Sequence, residues 1–375
     1  MGTTPNFVAP GFEGVASAFF ETIPEGRRAG AALSVWKDGA PVVSLAAGTA
    51  DGGNSPFRND TLIPVASVTK GLASLVIGRL VELGRMPSYD TEIGEFWPEF
   101  AAHGKGRLSI GDVLAHRAGL SAPREALPKS VYLDSIATAD VLAAQEPLWT
   151  PGEGHQYHNI THGALTAKLA FLATGRSLGS LFADEIAGPL SSDAWIGLPE
   201  EYDARVATMV PDPLPPAPAM SVPNSYWLER AVNLGSGVGF PNLVESADGR
   251  RAEMPGVNGF ATAEAVAKIY SASVVLTEGV RLLSDAAVDD VRKPRSKGEP
   301  VFGGQPPYQA FGAGVMVPSH WDPYLTEYSF GHDGALGQVA FADPYFKVGF
   351  AYFTNQAGDW ERGKSVTKAL WRDLN

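Results

Sequence analysis

The order of apolar and polar positions predicts strands at both ends of the chain and helices between them. Near the start, residues 10–22 follow a helical spacing, and two alternating runs at 31–37 and 41–47 surround an Asp38-Gly39 turn, which predicts a β-hairpin. Near the end, four further strands and a last helix are predicted at 311–317, 327–330, 338–342, 347–354 and 361–373. The last two of these strands are expected to pair as a second hairpin.

The middle of the chain is predicted to be mostly helical. Serine or threonine stands before several helical runs, where its hydroxyl group can cap the free N–H groups. The predicted helices cover 109–116, 138–145, 177–186 and 263–275, and another begins after Ser284. Six prolines between positions 211 and 223 exclude regular structure there and indicate a surface loop or a cleft wall.

The placement of these elements predicts an α/β (α+β) fold. An antiparallel sheet built from both ends of the chain and flanked by helices would carry an inserted, mostly helical region. We therefore expect a sheet domain of residues 1–85 and 245–375 and a helical domain of residues 86–244. The active site is expected in the cleft between these two domains.

A long helix is predicted to begin at Ser67 and to end at Gly84. Apolar residues follow Ser67 at a helical spacing; they are Val68, Leu72, Leu75, Val76, Leu80 and Leu83. Gly71 and Gly78 share another face of this helix. Because each glycine costs about 1 kcal/mol in a helix, we expect a neighbouring element to pack closely against that face.

Ser67 and Lys70 stand one turn apart at the start of this helix, so that their side chains face the same side. A serine hydroxyl is a weak nucleophile until a base lies beside it, and a lysine amine can be that base. The helix N-terminus also offers free N–H groups to developing negative charge. The pair is therefore typical of acyl transfer through a serine ester, although Ser67 could equally be an ordinary N-cap.

The Ser-x-x-Lys spacing occurs three times, and the surrounding pattern separates the copies. The copy at 34–37 lies in a predicted strand, whose alternation places serine and lysine on opposite faces. The copy at 365–368 is identical in sequence to the one at Ser67, but it lies inside the C-terminal helix with no strand before it. Only Ser67 and Lys70 stand at a junction between a strand and a helix.

Composition favours a soluble globular protein. The chain has 375 residues and a net charge of -12, so that nucleic acids and anionic membrane surfaces would be repelled. It has no cysteine, which excludes disulfides, thiolate metal sites and a cysteine nucleophile. No apolar run is long enough to span a bilayer, and residues 1–12 do not resemble a signal peptide, so we expect a cytoplasmic protein. Neither a cofactor nor a metal is expected.

A loop rich in proline and glycine leads to Tyr157 and Asn159, which form the one Tyr-x-Asn sequence in the chain. A tyrosine has a pKa of about 10, but a neighbouring lysine ammonium favours the phenolate, which can accept the serine proton. Asn159 could hold the lysine or donate to a substrate carbonyl. The alternative for Tyr157 alone is a half-buried aromatic residue of a loop.

Small residues in the segment 331–335 follow a predicted strand that ends at Phe330. A small residue on an edge strand lets a backbone N–H approach a substrate closely. Together with the N–H of Ser67, that group would form an oxyanion hole, and losing one such donor typically costs on the order of a hundredfold to a thousandfold in rate. The alternative is an ordinary glycine-rich turn.

Three short motifs occur in an order typical of one superfamily of serine enzymes. They are Ser67-x-x-Lys70, Tyr157-x-Asn159 and His332-Asp333-Gly334. In this order they resemble the serine β-lactamase and penicillin-binding-protein superfamily, and more narrowly the class C β-lactamases and the family VIII carboxylesterases. Further segments that resemble this superfamily lie at 112–120, 149–152, 174–179, 186–190 and 258–264. The resemblance covers nearly the whole chain and implies a β-lactamase-like fold.

The resemblance also implies a role for each matching residue. Ser67 would be the acylated nucleophile. Lys70 and Tyr157 would form the base network, and Tyr157 would also protonate the leaving group. Asn159 would orient the substrate, and the backbone N–H groups of Ser67 and Ala335 would form the oxyanion hole.

The third motif departs from the β-lactamase pattern, which has lysine where this chain has His332. Lysine supplies a fixed positive charge to the carboxylate of a β-lactam. A histidine has a pKa of about 6.5 and is mostly neutral at pH 7, unless Asp333 holds it charged. With His332 and Gly334 at the substrate site, we predict a serine carboxylesterase that hydrolyses short-chain or aryl esters through an acyl-enzyme on Ser67.

Other functions stay open at this point. A β-lactamase, a D-amino-acid peptidase or amidase and a transesterase would use the same residues, and a penicillin-binding protein without turnover is the non-enzymatic alternative. The segment 175–179 matches the nucleophile elbow of α/β-hydrolases around Ser177, but predicted helices lie on both sides of it. His155, His158 and His162 have a spacing that could bind zinc, without the glutamate of the usual motif.

Aromatic side chains near the expected cleft could line an acyl or alcohol pocket. The candidates are Tyr226, Trp227, Trp321, Tyr324 and Tyr328. For each of them, a place in the core or on the surface is the alternative. The sequence leaves the natural ester and the oligomeric state open.

Overall fold

Both ends of the chain contribute strands to one sheet. The computed structural model describes residues 5–23, 28–211 and 224–375. Its strands are β1 (Phe7–Val8), β2 (Gly30–Lys37), β3 (Ala40–Gly48), β4 (Ile63–Pro64), β5 (Ala194–Ile196), β6 (Gly259–Ala261), β7 (Ala310–Phe311), β8 (Met316–Val317), β9 (Phe330–Gly334), β10 (Gln338–Asp343) and β11 (Val348–Thr354). Eight of them form an antiparallel sheet in the order β1-β3-β2-β11-β10-β9-β8-β7, and the rest form a small sheet in the order β4-β6-β5. The predicted α/β (α+β) fold, with a sheet built from both termini, is confirmed.

Helices surround the large sheet and fill the middle of the chain. They are α1 (Glu13–Glu21), α2 (Val68–Glu82), α3 (Ile93–Phe96), α4 (Ile110–Leu114), α5 (Lys129–Tyr132), α6 (Ser135–Ala144), α7 (Thr161–Thr174), α8 (Leu178–Phe182), α9 (Ser225–Asn233), α10 (Phe240–Glu245), α11 (Ala247–Arg251), α12 (Ala263–Val274), α13 (Asp285–Arg292) and α14 (Glu361–Asp373). Short 3₁₀ helices lie at Pro98–Arg107, Gly188–Leu190 and Glu200–Arg205, and a π-helical turn lies at Ala183–Ala187. Among the described residues there is no helix with the length and apolar character that a membrane crossing needs.

The large sheet is covered on both faces, which explains why its central strands β2, β10 and β11 are buried at nearly every position. Along β2, Leu33 and Val35 pack into one hydrophobic cluster, while Ala32 and Trp36 pack into another on the opposite face. Helices α1 and α14 lie against the first face, and α12 and α2 lie on the second. Burial on two sides makes this sheet a rigid support for the residues at its edge.

Helix α2 is buried along most of its length between α7, α13 and β9. The close packing predicted for its glycines is confirmed. A Cβ added at Gly71 would lie 2.2 Å from Tyr270 Oη, and one at Gly78 would lie 2.9 Å from a methyl group of Val291. The two glycines therefore let α12 and α13 approach the helix that begins beside Ser67.

Two strand predictions near the end of the chain are wrong in position. The strand expected at 327–330 instead begins at Phe330 and runs to Gly334, because the Thr326 and Ser329 hydroxyl groups donate to Asp343 and hold residues 326–329 in a turn. The strand expected at 311–317 is split into β7 and β8 by a tight turn, in which Gly312 N–H donates to the Val315 carbonyl.

Helix boundaries differ from the predicted ones by a few residues where the capping residue differs. Ser109, Ser177, Thr262 and Ser284 accept the predicted capping hydrogen bonds. Helix α6 begins earlier than predicted, because Asp134 accepts from two N–H groups of its first turn. Most of the proline-rich segment at 211–223 lies outside the described residues, and the division into a sheet domain and a helical domain stays a prediction.

Candidate active site

A sharp turn places Ser67 at the start of α2. Ala66, just before it, has a positive φ of 46°, a conformation that a residue with a side chain adopts only under constraint. The Thr69 hydroxyl group supplies that constraint. It donates to the Ala66 carbonyl at 2.6 Å and accepts from the Gly259 N–H at 2.9 Å, which ties the turn to strand β6.

Ser67 does not act as an N-cap. Its backbone is already helical, and its hydroxyl group makes no capping hydrogen bond. Instead, Ser67 Oγ lies 3.0 Å from Lys70 Nζ, one helical turn further along. The N-cap alternative is therefore wrong, and the predicted pairing of serine and lysine is present.

Lys70 is fully buried, and within the described part of the chain no carboxylate forms an ion pair with it. Burial holds its pKa well below the usual lysine value, because an ammonium group would lose its hydration there. The amine also donates to the Gly256 carbonyl at 2.6 Å. An uncharged amine in this position can use one hydrogen on Gly256 and turn its lone pair toward Ser67.

Gly256 could not be predicted as a site residue from the sequence, because it contributes through its backbone carbonyl. Its position depends on a glycine in helix α7. A Cβ added at Gly163 would lie 2.1 Å from the Gly256 nitrogen, so only glycine lets the two backbones come this close. The signal that could have found this contact is a pair of glycines in distant segments, and a single sequence does not reveal such a pair.

Replacing Gly163 with alanine is expected to displace the Gly256 carbonyl from Lys70. The clash is with backbone and cannot be relieved by a side-chain rotation, so we expect a loss of about 1–3 kcal/mol in stability and a loss of kcat of roughly tenfold or more. Gly78→Ala is the matched control, since its added methyl group meets the side chains of Val291 and Leu283 and no backbone atom. Thermal unfolding and ester turnover measure both effects; unchanged kcat in Gly163→Ala would contradict the role given to this contact.

Tyr157 lies against both Ser67 and Lys70. The Ser67 hydroxyl group lies close enough to lower the pKa of the Tyr157 hydroxyl group, and Lys70 Nζ lies 4.9 Å from the centre of the Tyr157 ring. The ring stacks on Phe311, with a centroid distance of 5.8 Å, and contacts His116 at 4.9 Å. Burial raises the pKa of Tyr157, which is opposite to the expected phenolate. The resting site therefore favours the phenol form of Tyr157, beside a lysine whose charged form is disfavoured by burial.

Asn159 is not in contact with Lys70. The hydrogen bonds of the lysine go to Ser67 and Gly256, and the described residues offer the Asn159 side chain no hydrogen-bond partner. Asn159 is partly exposed near Tyr157. Of the two expectations for this residue, holding the lysine is wrong, and donating to a substrate carbonyl stays a prediction.

The end of strand β9 lies beside the start of α2. A Cβ added at Gly334 would lie 2.9 Å from the Val65 carbonyl, two residues before Ser67. Strand β8 pairs with β9 only at Gly331, so within the described residues the segment 332–334 has a free edge on that side. Ala335 follows in an exposed turn. The backbone N–H groups of Ser67 and Ala335 thus belong to adjacent segments, as an oxyanion hole requires.

His332 and Asp333 point to opposite faces of β9. The buried His332 ring donates from Nδ1 to the Asp333 carbonyl at 2.7 Å, and burial together with the nearby Lys70 lowers its pKa to about 3. The Asp333 side chain instead accepts from Trp321 and Tyr324 on the other face. Asp333 therefore does not hold His332 charged, and the histidine is neutral.

The side chains of the competing candidate sites make hydrogen bonds that stabilise the fold. Ser177 caps α8 and donates to Glu253 Oε1 at 2.8 Å, with no strand before it. The His158 ring donates to the Gln156 carbonyl and accepts from the Leu120 N–H, and His162 Nε2 lies 3.1 Å from the Leu114 carbonyl. Within residues 5–23, 28–211 and 224–375, no group of three metal-binding side chains is assembled.

The five candidate pocket aromatics lie in different surroundings. Tyr226 and Tyr328 are exposed, Trp227 is half-buried, and Tyr324 is buried. Trp321 is half-buried and packs against the same hydrophobic cluster as Tyr157. Of these aromatics, Trp321 and Tyr324 are connected to the candidate site, through Asp333.

Comparisons with known proteins identify the family of this chain. The chain is 33% identical to Esterase/beta-lactamase LipL of Mycobacterium tuberculosis, over 92% of this chain and 82% of LipL. The structure of EstA from Arthrobacter nitroguajacolicus Rue61a superposes with a TM-score of 0.90 and 29% identity, over 100% of this chain and 99% of EstA. A family VIII carboxylesterase superposes with a TM-score of 0.86 and 31% identity, over 100% of both chains. Since residues 15–371 match the family described as Beta-lactamase, this chain belongs to the Beta-lactamase family.

Proposed function

We propose that this chain is a serine carboxylesterase that hydrolyses short-chain or aryl esters through an acyl-enzyme on Ser67. The observation that carries the proposal is the position of the Ser67 hydroxyl group, 3.0 Å from Nζ of the fully buried Lys70 and beside the Tyr157 hydroxyl group. A buried base beside a serine at a helix start is the arrangement that nucleophilic catalysis needs.

In the first step, Lys70 takes the Ser67 proton while Oγ forms a bond to the ester carbonyl carbon. The lysine becomes an ammonium, and the face of the Tyr157 ring, 4.9 Å from Nζ, stabilises that charge. The N–H groups of Ser67 and Ala335 hold the carbonyl oxygen as it becomes negative. The bond to the alkoxy group then breaks, and Tyr157 delivers a proton to the departing alcohol while it regains one from Lys70.

In the second step, water replaces the alcohol. Lys70 and Tyr157 are uncharged again after the first step and accept a proton from the attacking water. The new bond from water to the acyl carbon forms, the bond to Ser67 Oγ breaks, and the proton returns to the serine. The products are a carboxylic acid, an alcohol and the original enzyme.

The chemistry of the site favours an uncharged substrate. His332 is buried and neutral, so it offers no fixed positive charge to a substrate carboxylate. The names of LipL and of the family VIII enzyme include esterase activity, and that of LipL also includes β-lactamase activity. A β-lactamase is therefore the second candidate function, supported by the name of that relative.

The test compares p-nitrophenyl acetate with nitrocefin as substrates of the purified protein. We expect rapid release of p-nitrophenol and slow or undetectable opening of nitrocefin, because only nitrocefin carries a carboxylate that needs a cation. His332→Lys is the informative variant, since it restores the charge of the β-lactamase pattern. Efficient nitrocefin cleavage by the wild type, without ester turnover, would favour the second candidate.

Activity should depend on pH through the protonation of Lys70. The amine acts as a base only when uncharged, so activity is lost as the pH falls through the lysine pKa. Because burial holds that pKa well below the usual value near 10.4, the acid limb of kcat/KM should lie far below pH 10. A pH profile with an acid limb close to pH 10 would contradict the uncharged amine.

A further inference from the structure

Asp333 is a buried carboxyl group that the proposed reaction does not use. It lies on the face of β9 opposite to His332, only 3% exposed. Its Oδ2 accepts from Trp321 Nε1 at 3.2 Å, and its Oδ1 is hydrogen-bonded to Tyr324 Oη at 3.1 Å. Two aromatic side chains of the segment 321–324 are thus hydrogen-bonded to strand β9, which leads into Ala335.

The segment that carries these two aromatics is itself under constraint. Tyr324 has a positive φ of 49°, which is rare for a residue with a side chain and is held only by surrounding contacts. Its N–H donates to Asp322 Oδ1 at 2.9 Å, and its ring packs on Phe341 with a centroid distance of 5.0 Å. The hydrogen bond to Asp333 completes this set of contacts.

Trp321 reaches from Asp333 to the back of the turn that contains Ala335. Its ring meets Trp360 edge-on, with a centroid distance of 6.0 Å. A Cβ added at Gly337 would lie 3.5 Å from the Cα of Trp360, and Gly337 N–H closes the turn by donating to the Gly334 carbonyl at 3.2 Å. Trp321 therefore links Asp333, on the strand before the turn, to Trp360, whose backbone lies beside Gly337 at the end of the turn.

We propose that Asp333 is a positioning residue that fixes the Ala335 N–H for the oxyanion hole by holding Trp321 and Tyr324 in place. This inference rests on the proposed function, because it assigns Asp333 a part in the same reaction. Asp333 touches no reacting atom; it acts through the segment 321–324 and through Trp360.

The charge state of Asp333 suits this role. Burial and the neighbouring Asp322 carboxyl raise the pKa of Asp333 to about 8, while the hydrogen bonds from Tyr324 and Trp321 oppose the rise. Burial therefore favours the uncharged form of this carboxyl group. An uncharged carboxyl group can fasten the segment without placing a negative charge close to the developing oxyanion.

The first measurement is the kinetics of p-nitrophenyl acetate hydrolysis by Asp333→Ala. We expect kcat to fall roughly tenfold to a hundredfold, because a misplaced donor weakens binding of the transition state in both steps. KM should change by less than about threefold, since the ground-state ester depends little on this donor. Asp333→Asn, which keeps one acceptor for the two donors, should recover part of kcat. A wild-type kcat in Asp333→Ala overturns the inference.

A double-mutant cycle tests whether the effect passes through Trp321. Trp321→Phe removes the Nε1–H donor and keeps an aromatic ring. If Asp333 acts by holding Trp321, the double variant should lose little more than Asp333→Ala alone. If the kcat losses of the two single variants instead multiply in the double variant, Asp333 does not act through Trp321 and the inference is overturned.

Asp343→Ala is the matched control for a purely structural role. Asp343 is also a buried carboxyl group, on the adjacent strand β10, and accepts from Thr326 and Ser329 at 2.6 Å each. It holds the turn at residues 326–329, and it makes no hydrogen bond to Trp321. We expect Asp343→Ala to lower Tm and leave kcat within about twofold of the wild type when measured well below Tm. Equal loss of kcat in both variants would assign Asp333 a structural role only.

The outcome for Ser67→Ala separates this inference from the function on which it rests. If Ser67→Ala is inactive and Asp333→Ala has the kcat of the wild type, the inference alone is wrong. If turnover survives Ser67→Ala, the proposed function is wrong, and the role given to Asp333 is overturned with it.

Discussion

Ser67→Ala will lower the rate of p-nitrophenyl acetate hydrolysis by about 10⁴-fold to 10⁶-fold, the range seen when a serine nucleophile is removed. The reason is structural: Ser67 Oγ lies 3.0 Å from Lys70 Nζ and beside the Tyr157 hydroxyl group, and alanine leaves no atom to form the acyl-enzyme. Steady-state rates measure the loss. Mass spectrometry after treatment with a fluorophosphonate should find the label on Ser67 in the wild type and no label in the variant.

The chain contains two matched controls for this experiment. Ser365 stands in the same four-residue sequence as Ser67, but its hydroxyl group donates to the Arg362 carbonyl inside α14. Ser177 belongs to the α/β-hydrolase-like motif and caps α8. Both Ser365→Ala and Ser177→Ala should keep nearly full activity. Loss of activity in Ser177→Ala alone would move the nucleophile to that position.

Lys70→Met is expected to lower kcat by about 10²-fold to 10⁴-fold, the usual contribution of general acid–base catalysis. Methionine is also unbranched and fills much of the same buried space, so the loss should come from the missing amine. The pH profile of the remaining activity should no longer contain the limb assigned to Lys70. Pre-steady-state measurement of p-nitrophenol release would find slower acylation of Ser67.

Lys368→Met controls for the change of residue type, because Lys368 is exposed in the second copy of the same sequence. It should leave kcat unchanged. Near-normal acylation in a folded Lys70→Met variant would mean that another group takes the Ser67 proton. Tyr157 is the group next to Ser67, and Tyr157→Phe in the Lys70→Met background would then identify it.

The local part of the site could be predicted because it depends on short-range geometry. Ser67 and Lys70 meet within one helical turn, and the change from strand to helix distinguished them from the copies at 34–37 and 365–368. Tyr157 was predicted from its motif and its place in the resemblance, and the structure brings it to Ser67. The prediction placed strand β9 a few residues too early. Residues 326–329 form a turn because their hydroxyl groups donate to Asp343 on the neighbouring strand, which a local sequence pattern does not report.

The protonation states could not be predicted from the same residues. The sequence indicated a charged lysine beside a phenolate, whereas burial by several elements favours the amine and the phenol. Lys70 donates to the Gly256 carbonyl and not to Asn159 as expected. A contact made by a backbone group cannot be predicted from the pattern of side chains. Such features depend on how distant segments pack, which periodicity and motif spacing do not report.

The buried Lys70 and the half-buried Tyr157, whose charged forms are both disfavoured, have a consequence for the conditions in which the protein can work. Dissolved salt weakens interactions between exposed charges, with a screening length of about 8 Å at physiological ionic strength. Here the resting site has no exposed ion pair to weaken, and the preferred substrate brings no charge to be attracted. Turnover of a neutral ester should therefore tolerate concentrated brine for as long as the fold itself survives.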